Sequence, residues 1–246
     1  MRNRFLLTRL RLRPIRVYCF HQVGTQHLPQ YGGIDDWIEI GQFKEAILKL
    51  KKIYTFISIS EARYRLEHDL FRLKRYAVLT CDDGYQCILD VLPWLEEQRI
   101  PITLFLSVGY LDGVSYDPWF DNHWRSFSDK NKEDLLRDMY IQTRHLSMPS
   151  LQSSNVTLAL HGFGHDEVSR MSPDEFGIYV DKCIAILGSH PRYQPFYAYT
   201  WGHHSKVTDE VLRQKKIVPV LCDGNNNRKY DSVMHRVLLD KELKSN

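Results

Sequence analysis

The stretch Ala77-Val78-Leu79-Thr80-Cys81-Asp82-Asp83-Gly84-Tyr85 decides the reading of this chain. A short apolar, β-prone run ends abruptly in two carboxylates and a glycine, the pattern of a buried strand that opens into a polar turn. A second stretch has the same build: Val156-Thr157-Leu158-Ala159-Leu160 leads into His161-Gly162-Phe163-Gly164-His165. A third strand, Arg16–Phe20, delivers His21.

Outward from these, strand-like runs recur at Tyr54–Ser58, Ile102–Ser107, Phe196–Tyr199, Ile217–Leu221 and Val233–Leu239. Between them the apolar spacing is helical. Phe43, Ile47 and Leu50 share one face, as do Ile88, Val91, Leu92 and Leu95, and Pro93 predicts a kink in that second helix. Leu135, Leu136 and Met139 mark a third helix, and Phe176, Val180, Cys183, Ile184 and Leu187 a fourth. The fourth is opened by the capping sequence Ser172-Pro173-Asp174-Glu175. Strands alternating with helices require mostly parallel pairing. Without a GxGxxG turn, the pattern favours a barrel over a doubly wound nucleotide fold. The expected class is a distorted (β/α)7-type barrel of mostly parallel strands, one domain over 16–246 behind a basic segment at 1–15.

The 246 residues are 43% hydrophobic and 26% charged, which excludes a disordered chain or a coiled coil as a whole-chain reading. No apolar run approaches the roughly 20 residues of a membrane-spanning helix. The formal charge of +3 conceals an asymmetry: residues 1–34 hold six arginines and no acid, leaving −3 for the rest. Arg9, Arg11 and Arg13 interrupt the apolar stretch a secretory signal would need, so the expected location is the cytoplasm. The basic start reads either as a solvated terminus or as a peripheral contact with anionic lipid. No recognition motif accompanies the charge, so no nucleic-acid partner is expected. Five cysteines without a C-x-x-C pair read as reduced, mostly buried residues.

In barrels, chemistry collects where strands end. Two histidines four apart and a carboxylate from a neighbouring strand make an N,N,O set of the kind that leaves a divalent metal one open position. With two adjacent acids, one carboxylate can bind metal while the other acts as a base on water. A turn and two unrelated histidines would account for each piece separately, but not for both pieces following strands in one barrel.

These residues resemble the NodB-type polysaccharide deacetylases, carbohydrate esterase family 4. Thr80-Cys81-Asp82-Asp83-Gly84 is similar to their first motif and His161-Gly162-Phe163-Gly164-His165 to their second. Ile100-Pro101-Ile102-Thr103-Leu104-Phe105-Leu106 is similar to a family strand, and Tyr197-Ala198-Tyr199-Thr200-Trp201-Gly202 to the third motif. The matches run in family order across roughly residues 16–240. The resemblance implies Asp83, His161 and His165 as ligands of a divalent metal, zinc first, with Co, Ni, Fe or Mn as alternatives. It implies Asp82 as the base and a backbone N–H at Trp201 in the oxyanion site, with Tyr199 beside it in substrate binding. In the branch of the poly-N-acetylglucosamine deacetylases the acid comes from the first strand, which implies His21; Met234-His235-Arg236-Val237 is the nearest copy of the late histidine motif of other members. Trp119, in the long connection after the Phe105 strand, is a candidate for stacking on sugar or for packing under its loop.

The implied activity is removal of an N-acetyl group from an amino sugar in a polysaccharide or a lipid-linked glycan precursor, with release of acetate. The alternatives are a catalytically silent carbohydrate-binding barrel and a hydrolase of a non-sugar amide. Three departures matter. Gly162 removes a hydroxyl that helps order the second motif, Thr200 replaces a proline, and Ala198 stands where many members carry an arginine paired with the base. The sequence leaves open what holds Asp82.

Overall fold

The computed structural model describes residues 13–24, 37–69, 72–113, 146–148 and 151–239. The predicted helix around Leu135, the Trp119 loop and the basic segment through residue 12 lie outside them.

Strand β1 (Ile15–Phe20) is followed by a small parallel pair, β2 (Gln22–Gly24) and β3 (Trp37–Glu39). Helix α1 (Ile40–Ile53), β4 (Thr55–Phe56), helix α2 (Ile59–His68) and β5 (Tyr76–Cys81) come next. Then follow helix α3 (Leu92–Glu97), β6 (Ile102–Leu106), β7 (Val156–Leu160), helix α4 (Pro173–Leu187), β8 (Tyr193–Ala198), helix α5 (Lys206–Gln214) and β9 (Val218–Leu221). The last strand is broken into β10 (Met234–His235) and β11 (Val237–Leu238).

All the pairings between these strands are parallel, in the order β10-β9-β8-β7-β6-β5-β1-β11. The two ends of that order are one run of chain. Met234 and His235 pair with β9, and Val237 and Leu238 pair with β1. The sheet therefore rolls into the expected α/β barrel, and Arg236 sits where the closing strand changes neighbours. Residues 54–58, expected as a full strand, contribute only the two-residue β4 against the start of β5.

Side-chain alternation sorts the strands into two cores. Leu79, Leu104, Leu158 and Tyr197 pack outward with Phe43, Leu95, Phe176 and Val180 of the helices. Val17, Val78, Phe105, Ala159, Ala198 and Val220 gather on the other face with Ile59, Ala62 and Leu66 of α2. The capping box expected at Ser172 forms, its hydroxyl accepting from Glu175 N–H while the Glu175 carboxylate accepts from Ser172 N–H. Pro93 does not kink one helix. A 3-10 turn over Gln86–Asp90 ends first, and a new helix starts at Leu92 with Pro93 in its first turn, where its missing N–H costs nothing.

Candidate active site

The inward-facing parity continues past the C-terminal ends of the strands and collects polar groups at one mouth. Cys19 and His21 follow Val17, Thr80 and Asp82 follow Val78, His161 follows Ala159, and Arg236 follows Met234. Asp82, Asp83, His161 and Arg236 are all buried.

Asp83 would face away if the strand simply continued. Instead it adopts φ 70, in the left-handed region, and Gly84 follows with φ 83, so both neighbouring carboxylates turn into the mouth. Asp tolerates that region better than most residues. His165 (φ 57) and Trp201 (φ 60) are held the same way, so left-handed non-glycine residues concentrate at this mouth.

The structure brings the predicted ligands together. Asp83 Oδ1 lies 3.2 Å from His161 Nε2 and 3.3 Å from His165 Nε2, and one ligand atom from each residue falls within a 4.8 Å cluster. His161 Nδ1 is 2.9 Å from the Ala198 carbonyl, an acceptor only, so neutral His161 carries its proton there and turns the Nε2 lone pair toward Asp83. Asp83 Oδ1 is itself buried without a hydrogen-bond donor. Lone pair thus faces lone pair, an arrangement a shared cation resolves. Ligands about 2.0–2.1 Å from a tetrahedral zinc stand about 3.3–3.4 Å apart, which the observed separations match.

Asp82 is held by a residue that sequence reasoning missed. Arg236 donates from Nη1 to Oδ1 at 2.6 Å and from Nη2 to Oδ2 at 2.8 Å, a bidentate fork. Burial works to raise the Asp82 carboxyl, and Arg236 overrides it, so Asp82 stays ionised. The arginine lacking at Ala198 is thus supplied from the closing strand. The available signal was a charged side chain at an inward position of the apolar run Val233–Leu239.

His21 Nε2 lies 3.9 Å from Asp82 Oδ2, inside the mouth. His235 is not in it: alternation turns its ring away from the Arg236 side, and Nδ1 meets Asp223 Oδ2 at 2.8 Å. Tyr199 is buried in the outer core and donates its hydroxyl to Asp209 at 2.8 Å, so its side chain faces away from the mouth. Trp201 is 46% exposed, its ring edge-on to His165 at 4.7 Å and its Nε1 donating to the His165 carbonyl.

The hydroxyl lost at Gly162 is also replaced. Tyr179, from α4, accepts from Phe163 N–H at 2.6 Å and Gly164 N–H at 3.2 Å and donates to Asp166 at 2.7 Å. Burial pushes its hydroxyl above the usual tyrosine range, so it stays protonated. Gly162 makes room: at φ +91, a Cβ there would lie 2.8 Å from the Tyr179 oxygen. Thr200, in the proline's place, donates to the Asp166 carbonyl and ties the second and third motifs together. Removing the Tyr179 hydroxyl (Y179F) takes one acceptor from two loop N–H groups, an expected loss of about 1–3 kcal/mol. Metal affinity is expected to fall tenfold to a hundredfold, the usual effect of losing a group that orients a ligand. Thermal melts and calorimetric zinc titration would check both.

Fold and mouth together define a parallel α/β barrel with a candidate centre of two histidines and one aspartate beside an arginine-held aspartate. The chain matches no protein-family model and no curated protein. Among solved structures it is similar to IcaB from Ammonifex degensii, with a TM-score of 0.64 at 18% identity over 94% of this chain and 96% of that one. It is similar to the Streptococcus pyogenes deacetylase PplD, in complex with acetate, with a TM-score of 0.62 at 15% identity over 95% and 98%. It is also similar to a de-N-acetylase from Aggregatibacter actinomycetemcomitans, with a TM-score of 0.61 at 14% identity over 93% and 99%. At these identities the likeness is one of fold, and that fold is the barrel of solved deacetylases.

Proposed function

We propose that this protein is a metal-dependent hydrolase that removes the N-acetyl group of an amino sugar, releasing acetate and a free amine. The observation that carries the reading is the convergence of Asp83, His161 and His165 on one point beside Asp82. The deacetylase fold of its structural neighbours supports the same chemistry. A divalent cation, when bound by Asp83, His161 and His165, supplies acidification of a water and polarisation of the amide carbonyl.

The protein's own groups divide the remaining work. Asp82, kept ionised by Arg236, takes a proton from the attacking water. His21, across the mouth, gives a proton to the departing nitrogen as the C–N bond breaks. The Trp201 backbone N–H is assigned to the oxyanion. With Arg236 and Tyr179 replacing the groups missing at Ala198 and Gly162, the departures that favour a silent binding protein lose their force.

The proposed substrate is an N-acetylated saccharide, free or lipid-linked. No helix among the described residues is long and apolar enough to cross a membrane. Peripheral membrane contact through the arginine-rich start belongs to the proposal as well.

Acetate release from N-acetylglucosamine oligomers, before and after chelation, tests the reading. Release is expected to stop on metal removal and return on readdition of zinc or cobalt. Undiminished release by the metal-free protein would overturn it.

A further inference from the structure

At the end of the barrel where the strands begin, away from the mouth, lies an open pocket of about 580 Å³ lined by Arg13, Lys52, Ile53, Thr55, Lys74 and Arg75. Four of these six residues are cations and none is acidic. The fold assembles them from separate segments. Arg13 leads into β1, Thr55 opens β4 and Arg75 leads into β5, and β1 and β4 both pair with the start of β5 at Tyr76. Lys52 and Ile53 end α1, and Lys74 precedes Arg75.

The arginines here are held without being neutralised. Arg72, 2% exposed, donates from Nε to the Arg13 carbonyl at 2.9 Å and from Nη1 to the Arg65 carbonyl at 3.1 Å. The Arg13 guanidinium donates to the Leu73 carbonyl at 2.8 Å. Carbonyl partners fix both side chains and leave their charges uncompensated. Lys52 also complements the carboxyl end of α1, but Arg13, Lys74 and Arg75 belong to no helix. A merely solvated face gives no reason for cations of three separate segments to share one pocket.

Two guanidiniums, two ammoniums and the Thr55 hydroxyl suit an anion with charge spread over several oxygens, as in a phosphate group. Two aliphatic side chains select which phosphate. Ile53, in the pocket, is 50% exposed, and Leu73, next to Lys74, is 66% exposed. Exposed aliphatics among cations match a bilayer surface, where they enter the acyl boundary while the basic groups meet headgroups. A small solute would leave them in water.

We propose that this pocket binds the phosphate of an anionic lipid headgroup and docks the barrel on a membrane surface, with Ile53 and Leu73 entering the bilayer. The site belongs to the folded barrel, is separate from the contact proposed for the arginine-rich start, and does not rest on the hydrolase reading. Docking there leaves the mouth, at the other ends of the strands, facing away from the bilayer.

Cosedimentation of the full chain with phosphatidylcholine vesicles, with and without phosphatidylglycerol, tests the site. Wild type is expected to bind only the anionic vesicles and to be released by salt. Each basic residue at an anionic surface contributes about fivefold to partitioning, so Lys52→Gln/Arg75→Gln should bind about 25-fold more weakly. Lys52→Gln/Lys74→Gln repeats the test if that variant folds poorly. Leu73→Ser should weaken vesicle binding severalfold at unchanged charge. All three variants are expected to keep the wild-type Tm and the wild-type release of acetate from soluble oligomers, because the changed residues lie away from the mouth. Arg9→Gln/Arg11→Gln separates the two attachments: if it abolishes vesicle binding while the pocket variants bind like wild type, the proposal is overturned. A wild type that ignores anionic vesicles, or that binds glycerol 3-phosphate in solution but no vesicle, would overturn it as well.

Discussion

Replacing Arg236 with methionine is expected to destabilise the fold by about 3–5 kcal/mol, because it leaves the Asp82 carboxylate buried without its counter-charge. For a domain of this size that corresponds to a fall in Tm of roughly 6–20 °C. The fork also lies over the Phe105 ring at 5.0 Å, so the loss includes packing as well as charge. The pH dependence gives the sharper reading. In the wild type the Asp82 carboxyl is held below its ordinary value. Its contribution to stability is therefore complete above the pKa of an unfolded aspartate and is lost as pH falls through the folded value. In Arg236→Met the strongest pull against burial is lost and only those of His161 and His21 remain, so the carboxyl rises and less stability is lost as pH falls. Melting curves of both proteins from neutral to acid pH would show the wild type losing stability faster. Parallel curves would sink the assignment of Arg236 as the group that keeps Asp82 ionised.

The second large effect separates the two neighbouring aspartates. Asp82→Asn is expected to lower kcat by about 10²–10⁴, the usual contribution of a general base, while keeping the metal. Its amide oxygen can still accept one of the two Arg236 hydrogen bonds. Asp83→Asn removes the charged member of the ligand set and is expected to lose both bound metal and activity. Metal content after dialysis, measured beside acetate release, distinguishes the variants. An Asp82→Asn protein that turns over normally, or an Asp83→Asn protein that holds stoichiometric metal at the Asp83 centre, would reverse the roles assigned to them.

Much of this site was legible before any coordinates. Asp82, Asp83, His161 and His21 stand directly after strand-like runs, with His165 four residues beyond His161, and strand ends on one side of a parallel barrel share one mouth. The pattern could not say that Asp83 would turn inward beside Asp82, which requires the left-handed backbone at that residue. His235 and Arg236 are adjacent in sequence and opposite in space, so attention to the histidine of that pair missed the arginine. Tyr199 carried a substrate role by its place in the third motif, yet its hydroxyl is spent on Asp209. Trp119 lies outside the described residues.

Sequence alone determined most of the strands, their parallel pairing and the polar residues at their ends, because alternation and helical spacing are local properties written into successive residues; it did not mark the helices Ile59–His68 and Lys206–Gln214. Tertiary structure decided what holds those residues in working geometry. Arg236 reaches Asp82 because the last strand closes the barrel against the first, and Tyr179 reaches the Gly162 loop because a helix packs over it. Such pairings join residues far apart in the chain, and their partners are fixed by the closing of the sheet and the seating of its helices, which no local pattern records.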